Sequence, residues 1–375
     1  MNKSSILFID TRASMGGGQV VLDSLLKIAI ERFSDIGLAA PSKLLKALKN
    51  DLSIKNNIAC HSIEEINLNN GHKNIFDFLR FFLYTLCFFK KIRFLRSYDI
   101  WYINSPRALI PSCFVNIILR KKIVFHIHSD FKKPYKFILL FLLMFGFIEK
   151  IVCCSKFISS KLKEFNSHFS NKERFIILEN SLSKKYSDIK FQNRFTKKIK
   201  VFNVGIPGWI SKEKGQEHAL SMLKYIENIN IFVIGNPMPG SESHYKRLKR
   251  VASKNTYFIE HNSESYSSLI KKNDIHICIM PTLINEAFGL MAIESMACSC
   301  ILISSAHGGL RDISNVTDHF TYKTDMEFIA YLKMILNKSN SELTSISRNQ
   351  YLNTQNYYAF SQFKNRIISF FNTFG

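Results

Sequence analysis

Two glutamates, Glu286 and Glu294, stand eight residues apart on either side of Phe288-Gly289-Leu290, between one apolar run and the next. Ile275 to Met280 is β-rich and stops at Pro281, Leu290 to Cys298 has a helical pattern, and Cys300 to Ser304 reads as another strand, which makes a βαβ unit. The loop carrying Glu286 therefore opens at the carboxyl end of a parallel strand, where doubly wound sheets bind ligands. Phe288, Gly289 and Leu290 place backbone N–H groups at a helix start, where the positive end of the dipole favours an anion such as a diphosphate. Gly289 lets that anion approach the backbone closely. The two acids do not suit a hydrolytic pair, which needs carboxyl groups roughly 5 to 9.5 Å apart across a sugar. On one helix, eight residues separate them by about 12 Å along the axis and roughly 80° around it. One acid beside the anion site and one a turn into the helix suit holding a ligand.

The elements that position this site recur along the chain. At 375 residues and 46% apolar composition the chain is comfortable for two domains. The first strand falls within Met1 to Arg12, whose apolar run Ile6 to Ile9 is too short for a signal peptide and is followed at once by Asp10. Ser14-Met15-Gly16-Gly17-Gly18-Gln19 then precedes Val20, Val21, Leu22, Leu25, Leu26 and Ala29 at helical spacing, so a glycine loop opens a helix. Further strands are expected at Asp99 to Asn104 and Lys122 to His128. His126 and His128 share one face of the second, and His128 lies at its carboxyl end. Lys184 to Lys200 is polar and basic and reads as a linker. Beyond it come Lys200 to Val204 as a strand, Gly205 to Gly215 as a loop ending in Lys214-Gly215, strands at Ile231 to Gly235 and Tyr257 to Ile259, and a basic helix over Tyr245 to Lys254. Ser361 to Phe374 is amphipathic and helical.

The run N-E-A-F-G-L-M-A-I-E-S-M-A at Asn285 to Ala297, with A-H-G-G-L-R-D following, resembles the E-x7-E signature of glycosyltransferase family 4, retaining enzymes of the GT-B fold. The resemblance implies an α/β chain of two Rossmann-like βαβ domains facing a central cleft: 1–185 for the acceptor, 186–355 for the nucleotide-sugar, and a helix over 356–375 crossing back. It implies that Glu286 contacts the donor sugar and Glu294 holds ribose hydroxyls. The loop at Gly16 and Gly17 resembles the family's G-G loop near the donor phosphates. His128, in H-I-H-S-D, resembles the strand-end histidine that contacts the donor sugar near the reacting carbon. Lys214-Gly215 resembles the end of the G-R-x-x-x-x-K-G loop whose arginine and lysine clamp the diphosphate. The arginine is absent: Ile206 follows Gly205, and Lys212 is the candidate second charge, without the bidentate fork of arginine. A glycine near Glu260, in a loop that touches the base, is also absent.

The implied reaction moves a sugar from a nucleotide donor, UDP- or GDP-linked, to a hydroxyl of a glycan or lipid-linked glycan in surface-polysaccharide assembly, with retention at the anomeric carbon. No D-x-D motif is present, so no metal and no cofactor are expected, and Lys214 with the helix start at Gly289 would meet the leaving diphosphate.

The formal charge is +22, of which residues 1–185 carry +15 (29 basic, 14 acidic). The first half therefore faces something anionic. Phe76 to Phe89 runs into Lys90, Lys91, Arg93 and Arg96, and Phe137 to Ile148 follows Lys132, Lys133 and Lys136. Neither run reaches the roughly 20 residues that span a bilayer. They are either buried core helices or interfacial segments at an anionic membrane surface, which would make the protein peripheral at the cytoplasmic face. Eight cysteines without C-x2-C spacing indicate a reduced, cytoplasmic protein. A nucleic-acid binder is disfavoured, because the charge is spread over ligand-binding motifs and no zinc-finger or RRM signature occurs. The missing arginine leaves a second reading, a catalytically weak homologue serving as a scaffold in a glycan-assembly complex.

Overall fold

The computed structural model describes residues 4–50, 52–65, 75–171, 173–260 and 264–374. The chain divides into two units, Met1–Glu179 with Phe363–Gly375, and Asn180–Gln362. The junction thus lies ahead of the expected 185/186 boundary, and the return comes at Phe363 rather than 356. The stretch read as a linker explains the first difference. Tyr186 and Phe195 are buried, Gln192 N–H donates to Ser299 Oγ at 3.0 Å, and Arg194 Nε donates to the Cys298 carbonyl at 3.0 Å. Polar side chains in this segment are spent stitching it to the second unit.

Among the described residues the first unit holds seven parallel strands: β1 Ser5–Ile9, β2 Asp35–Ala40, β3 Ala59–Ser62, β4 Ile100–Ile103, β5 Lys122–Ile127, β6 Lys150–Cys153 and β7 Phe175–Ile177. Their order is β3-β2-β1-β4-β5-β6-β7. The second holds β8 Phe202–Pro207, β9 Ile229–Ile234, β10 Thr256–Ile259, β11 Ile277–Met280, β12 Ile301–Ser305 and β13 Phe320–Tyr322, ordered β10-β9-β8-β11-β12-β13. The central strands, Ser5–Ile9, Ile100–Ile103 and Ile277–Met280 among them, are almost wholly apolar and buried throughout, as strands covered by helices on both faces must be. In each unit the order reverses beside the first strand, between β1 and β4 and between β8 and β11. Helical crossovers leave the two sides of such a switch point diverging at the carboxyl ends, which opens a crevice there.

The last two helices are Asn340–Tyr358, opened by a Ser339–Glu342 capping box, and Phe360–Phe371. From Phe363 onward the chain clusters with the first unit, where Phe371 meets Phe33 edge-on at 5.1 Å and Lys364 pairs with Glu31 at 2.6 Å.

Candidate active site

In the second unit the site is built where β8 and β11 end. β11 stops at Met280, and the loop after it carries Glu286 out to the helix Leu290–Ala297. Two glycines lock that loop. Gly308, at φ +65°, would place a Cβ 2.3 Å from the Glu286 carbonyl oxygen, and Glu286 forms a parallel bridge with it. The Gly309 N–H donates to that same carbonyl at 2.7 Å. The A-H-G-G turn is therefore the mould in which Glu286 is held. Gly215, at φ +72°, would bring a Cβ within 2.0 Å of the Pro281 carbonyl, and Leu283 N–H donates to the Glu213 carbonyl at 2.9 Å. The Lys-Gly loop is thus pressed backbone to backbone against the end of β11. The consequence is an ion pair: Lys214 Nζ lies 2.6 Å from Glu286 Oε2, both side chains mostly covered.

Gly289, at φ +112°, caps the helix Leu290–Ala297. Neither its N–H nor that of Leu290 has an acceptor among the described residues, as expected for the first turn of a helix. Phe288 is expected to offer its backbone N–H, and its side chain has a structural role besides. Its side chain is buried, edge-on to Tyr358 at 5.6 Å, so it anchors the loop by packing and only its backbone faces the helix start. Leu290 is half-buried. One turn further, Glu294 is buried, and its carboxylate accepts no hydrogen bond from any described residue. Burial lifts its pKa to about 8, with Lys185 pulling it partly back. A buried carboxylate without donors is costly, and ligand hydroxyls are the groups that would satisfy it.

Lys212 is exposed on the turn that holds Lys214. The start of this loop corrects the sequence reading. Gly205 lies inside β8, and the strand continues to Pro207. The turn glycine is Gly208, at φ +122°. It stands six residues before Lys214, so the position expected to hold the arginine is Trp209, half-buried, its carbonyl taken by Gln216 Nε2 at 2.9 Å. Counting back from Lys214 would have found it. The loop near Glu260 falls partly on residues 261–263, outside the described residues.

In the first unit the expected residues lie beyond the carboxyl ends of β1 and β5. Gly16 caps the helix Gly17–Ala29, and Gly17 is exposed. Gly18 is the glycine set against the histidine: a Cβ there would lie 3.3 Å from the His128 ring. His128 itself is one residue beyond β5, its ring against that of His126 with centroids 3.9 Å apart and planes tilted by 41°. Its Nε2 is 2.8 Å from Asn104 Oδ1. Asn104 Nδ2 donates to Asp10 Oδ2 at 2.6 Å and to the Gly18 carbonyl at 3.3 Å. With its amide donors spent, Asn104 can only accept from His128, so Nε2 carries the proton and Nδ1 holds a lone pair. That Nδ1 is buried and has no partner. Desolvation lowers the His128 pKa to about 4, so the ring is neutral. Burial raises the Asp10 carboxyl above its usual range against the hydrogen bonds from Asn104, Gln19 and Arg12. Asp10 and Asn104 escaped the sequence reading. Their signal was present: each directly follows the last residue of a strand beside the switch point.

Each unit thus carries a built cluster at the carboxyl end of a Rossmann-ordered parallel sheet, and the two units together form the GT-B fold. Residues 186–351 match the family model described as glycosyl transferases group 1. No curated protein sequence matches the chain. The fold is similar to that of Anabaena HepE, solved in complex with UDP-glucose, at 16% identity and TM-score 0.78 over 99% of this chain and 100% of that one. A glycosyltransferase from Rickettsia africae is similar at 18% identity and TM-score 0.71, over 100% and 99%. The lipopolysaccharide outer core galactosyltransferase WaaB, in its apo form, is similar at 15% identity and TM-score 0.64, over 97% and 99%. Together with the second unit's site, these findings support a GT-B glycosyltransferase.

Proposed function

We propose that the protein is a retaining, metal-independent glycosyltransferase of family 4 that moves a sugar from a UDP- or GDP-sugar to a hydroxyl of a glycan or lipid-linked glycan, in surface-polysaccharide assembly at the cytoplasmic face of a membrane. The observation that carries it is the Lys214–Glu286 pair locked beside the free helix start at Gly289. A diphosphate arriving there meets two unsatisfied N–H groups and a lysine whose present partner is a single carboxylate. Its greater negative charge draws Lys214 away, which leaves Glu286 free to accept from the donor sugar. As the glycosidic bond breaks, charge grows on the phosphate oxygen, and Lys214 with the helix dipole stabilises it without a cation. Glu294 takes the ribose hydroxyls. His128, neutral at the end of β5, contacts the donor sugar, the role its resemblance to the family's strand-end histidine gives it. The UDP-glucose complex of HepE and the galactosyltransferase activity in WaaB's name support this class of donor.

A thermal-shift screen of UDP, GDP and ADP tests the donor. One nucleoside diphosphate at 100 times its dissociation constant should add about 2.7 kcal/mol of stability, and equal, negligible shifts from all three would sink the reading. Transfer should persist in EDTA; complete loss restored by Mg²⁺ or Mn²⁺ would give the leaving group to a metal.

One observation favours the second reading, a binding subunit of weak activity: Trp209 stands where the clamp arginine is expected. Trp209→Arg separates the two. A large gain in turnover would mark the present chain as a weakened catalyst, measurable wild-type turnover that is unchanged or reduced would show that Lys214 suffices, and no turnover in either form would leave the binding subunit.

A further inference from the structure

The first unit has an apolar surface that the donor chemistry does not use. Helix Pro106–Leu119 crosses from β4 to β5 and helix Lys133–Met144 from β5 to β6, so right-handed crossovers lay them side by side on one face of the sheet. Tyr135 Oη donates to the Pro106 carbonyl at 2.8 Å and ties their first turns together. Beyond Arg107, Ser112 and Asn116 on one and Lys133 and Lys136 on the other, both helices are apolar, a pattern that ordinarily marks a covered helix. Here only the inner faces are covered. Phe114, Ile117 and Ile118 on one helix and Phe137, Phe141 and Met144 on the other are each 51 to 62% exposed, and their spacings set each trio on one side of its helix. Helix Ile75–Lys90, which packs on Pro106–Leu119, extends the surface with exposed Phe82, Leu83 and Leu86. The side chains of Phe76 to Phe81 lie outside the described residues.

We propose that this helical face docks on an anionic lipid surface, lying in its plane with the apolar side chains at the acyl boundary. The charge around it selects that occupant. From Pro106 to Lys150 the chain has eight basic residues and two acids, and one acid, Asp130, is already paired with Lys136 at 2.8 Å. Arg120 and Lys122 are exposed immediately after the turns that carry Ile117 and Ile118, which places cations where headgroup phosphates would meet an embedded apolar ridge. A second copy of the chain fits poorly, because it would bring one basic rim against another. No helix among the described residues is long and apolar enough to cross a membrane, which agrees with an in-plane arrangement. The surface is broader than the sequence indicated: helix Pro106–Leu119 shows no unbroken Phe run, and its exposed face emerges only from the packing. The inference rests on the transferase reading for its purpose, since a lipid-linked acceptor would be met there.

Co-sedimentation with phosphatidylcholine vesicles, with and without phosphatidylglycerol, tests it. The wild type should bind the acidic vesicles at low salt and release as salt screens the rim. Ile117→Ser/Ile118→Ser/Phe141→Ser/Met144→Ser should lower partition about tenfold or more, and Arg120→Glu/Lys122→Glu should do so chiefly for the acidic vesicles. Unchanged partition in both variants overturns the proposal. So does a wild-type dimer that the apolar variant converts to monomer, which would assign the face to a second copy. Nucleoside diphosphate thermal shifts read the donor site separately. If no nucleotide shifts any form while vesicle binding still depends on this face, the transferase reading fails and the docking surface stands.

Discussion

The two clusters at the carboxyl ends of the two sheets are held by different physical means. In the second unit, position comes from backbone packed on backbone: Gly308 against Glu286 and Gly215 against Pro281, with no space for a single added carbon. In the first unit, position comes from side chains bonded in series, Asp10 to Asn104 to His128. The first device suits a site that must meet a highly charged ligand without yielding. The second sets a proton's location, fixing which nitrogen of His128 is a donor and which an acceptor. One unit therefore holds charge in place and the other holds a tautomer.

The largest expected effects test whether the glycines are as inflexible as the contacts imply. Gly215→Ala or Gly308→Ala adds a Cβ 2.0 or 2.3 Å from a carbonyl oxygen at a left-handed residue. Each should cost on the order of 3 kcal/mol or more, seen as a large fall in the unfolding midpoint or loss of soluble protein. Gly18→Ala should behave oppositely. It is the second residue of a helix, its φ outside the left-handed region, and its Cβ would meet only the His128 ring at 3.3 Å. Stability should hold while transfer falls, and equal destabilisation at all three glycines would erase the contrast. Lys214→Ala should come next, lowering the rate of transfer about 10² to 10³-fold, the usual consequence of removing one preorganised charge stabiliser. His128→Ala should cost less, because it removes one neutral group. A reversed ranking in single-turnover rates would move the chemical burden to the first unit.

The sheets, the βαβ order and most of the second-unit cluster were legible because local pattern carries them. Ile277–Met280 is an unbroken apolar run, Glu286 and Glu294 sit at a fixed offset around Gly289, and Lys214-Gly215 is contiguous. What was not legible depends on distant contacts. Asn104 and Asp10 are 94 residues apart, and neither looks unusual until β1 and β4 are neighbours. The segment from Lys184 to Lys200 has a linker's composition, yet its partners at Cys298 and Ser299 lie about a hundred residues on. Gly205 was mistaken for the turn because a glycine at a strand's end and one within it look alike in sequence. The buried position of Gly205 inside β8 separates them.

A smaller effect concerns Glu294. Its pKa in the folded chain, about 8, lies above the ordinary 4.5 because burial disfavours the charged form. The native chain therefore holds the extra proton between these values, and stability is greatest in acid and falls as pH rises across that window. Glu294→Gln should abolish this loss, raising the unfolding midpoint at pH 9 relative to wild type by up to a few kcal/mol of stability. The same change should weaken nucleotide binding about 10 to 100-fold at pH 9, where the side chain is a charged acceptor. Weaker folding at pH 9 together with unchanged nucleotide affinity would make Glu294 an ordinary structural residue.

The smallest effect probes the tautomer in the first unit. His128 in the folded chain has its pKa lowered to about 4 by desolvation, against an ordinary 6.5. The unfolded chain thus binds the extra proton between those values, so this residue's contribution to stability rises with pH from about 4 to 6.5 and is lost as pH falls. Asn104→Asp would set a second carboxylate beside Asp10, 2.6 Å from the present amide nitrogen, and opposite His128 Nε2. One of the two acids must then stay protonated or the imidazole must gain charge to offset them. Because His128 Nε2 is the bonded neighbour at 2.8 Å, the imidazole is expected to respond, its pKa moving up toward neutrality. Histidine titration followed by NMR should show one wild-type ring that stays neutral at pH 6 and becomes protonated there in the variant, with a matching new limb in the pH–rate profile. If the His128 titration does not move, Asn104 does not set its protonation, and the first unit's cluster is held by packing as the second unit's is.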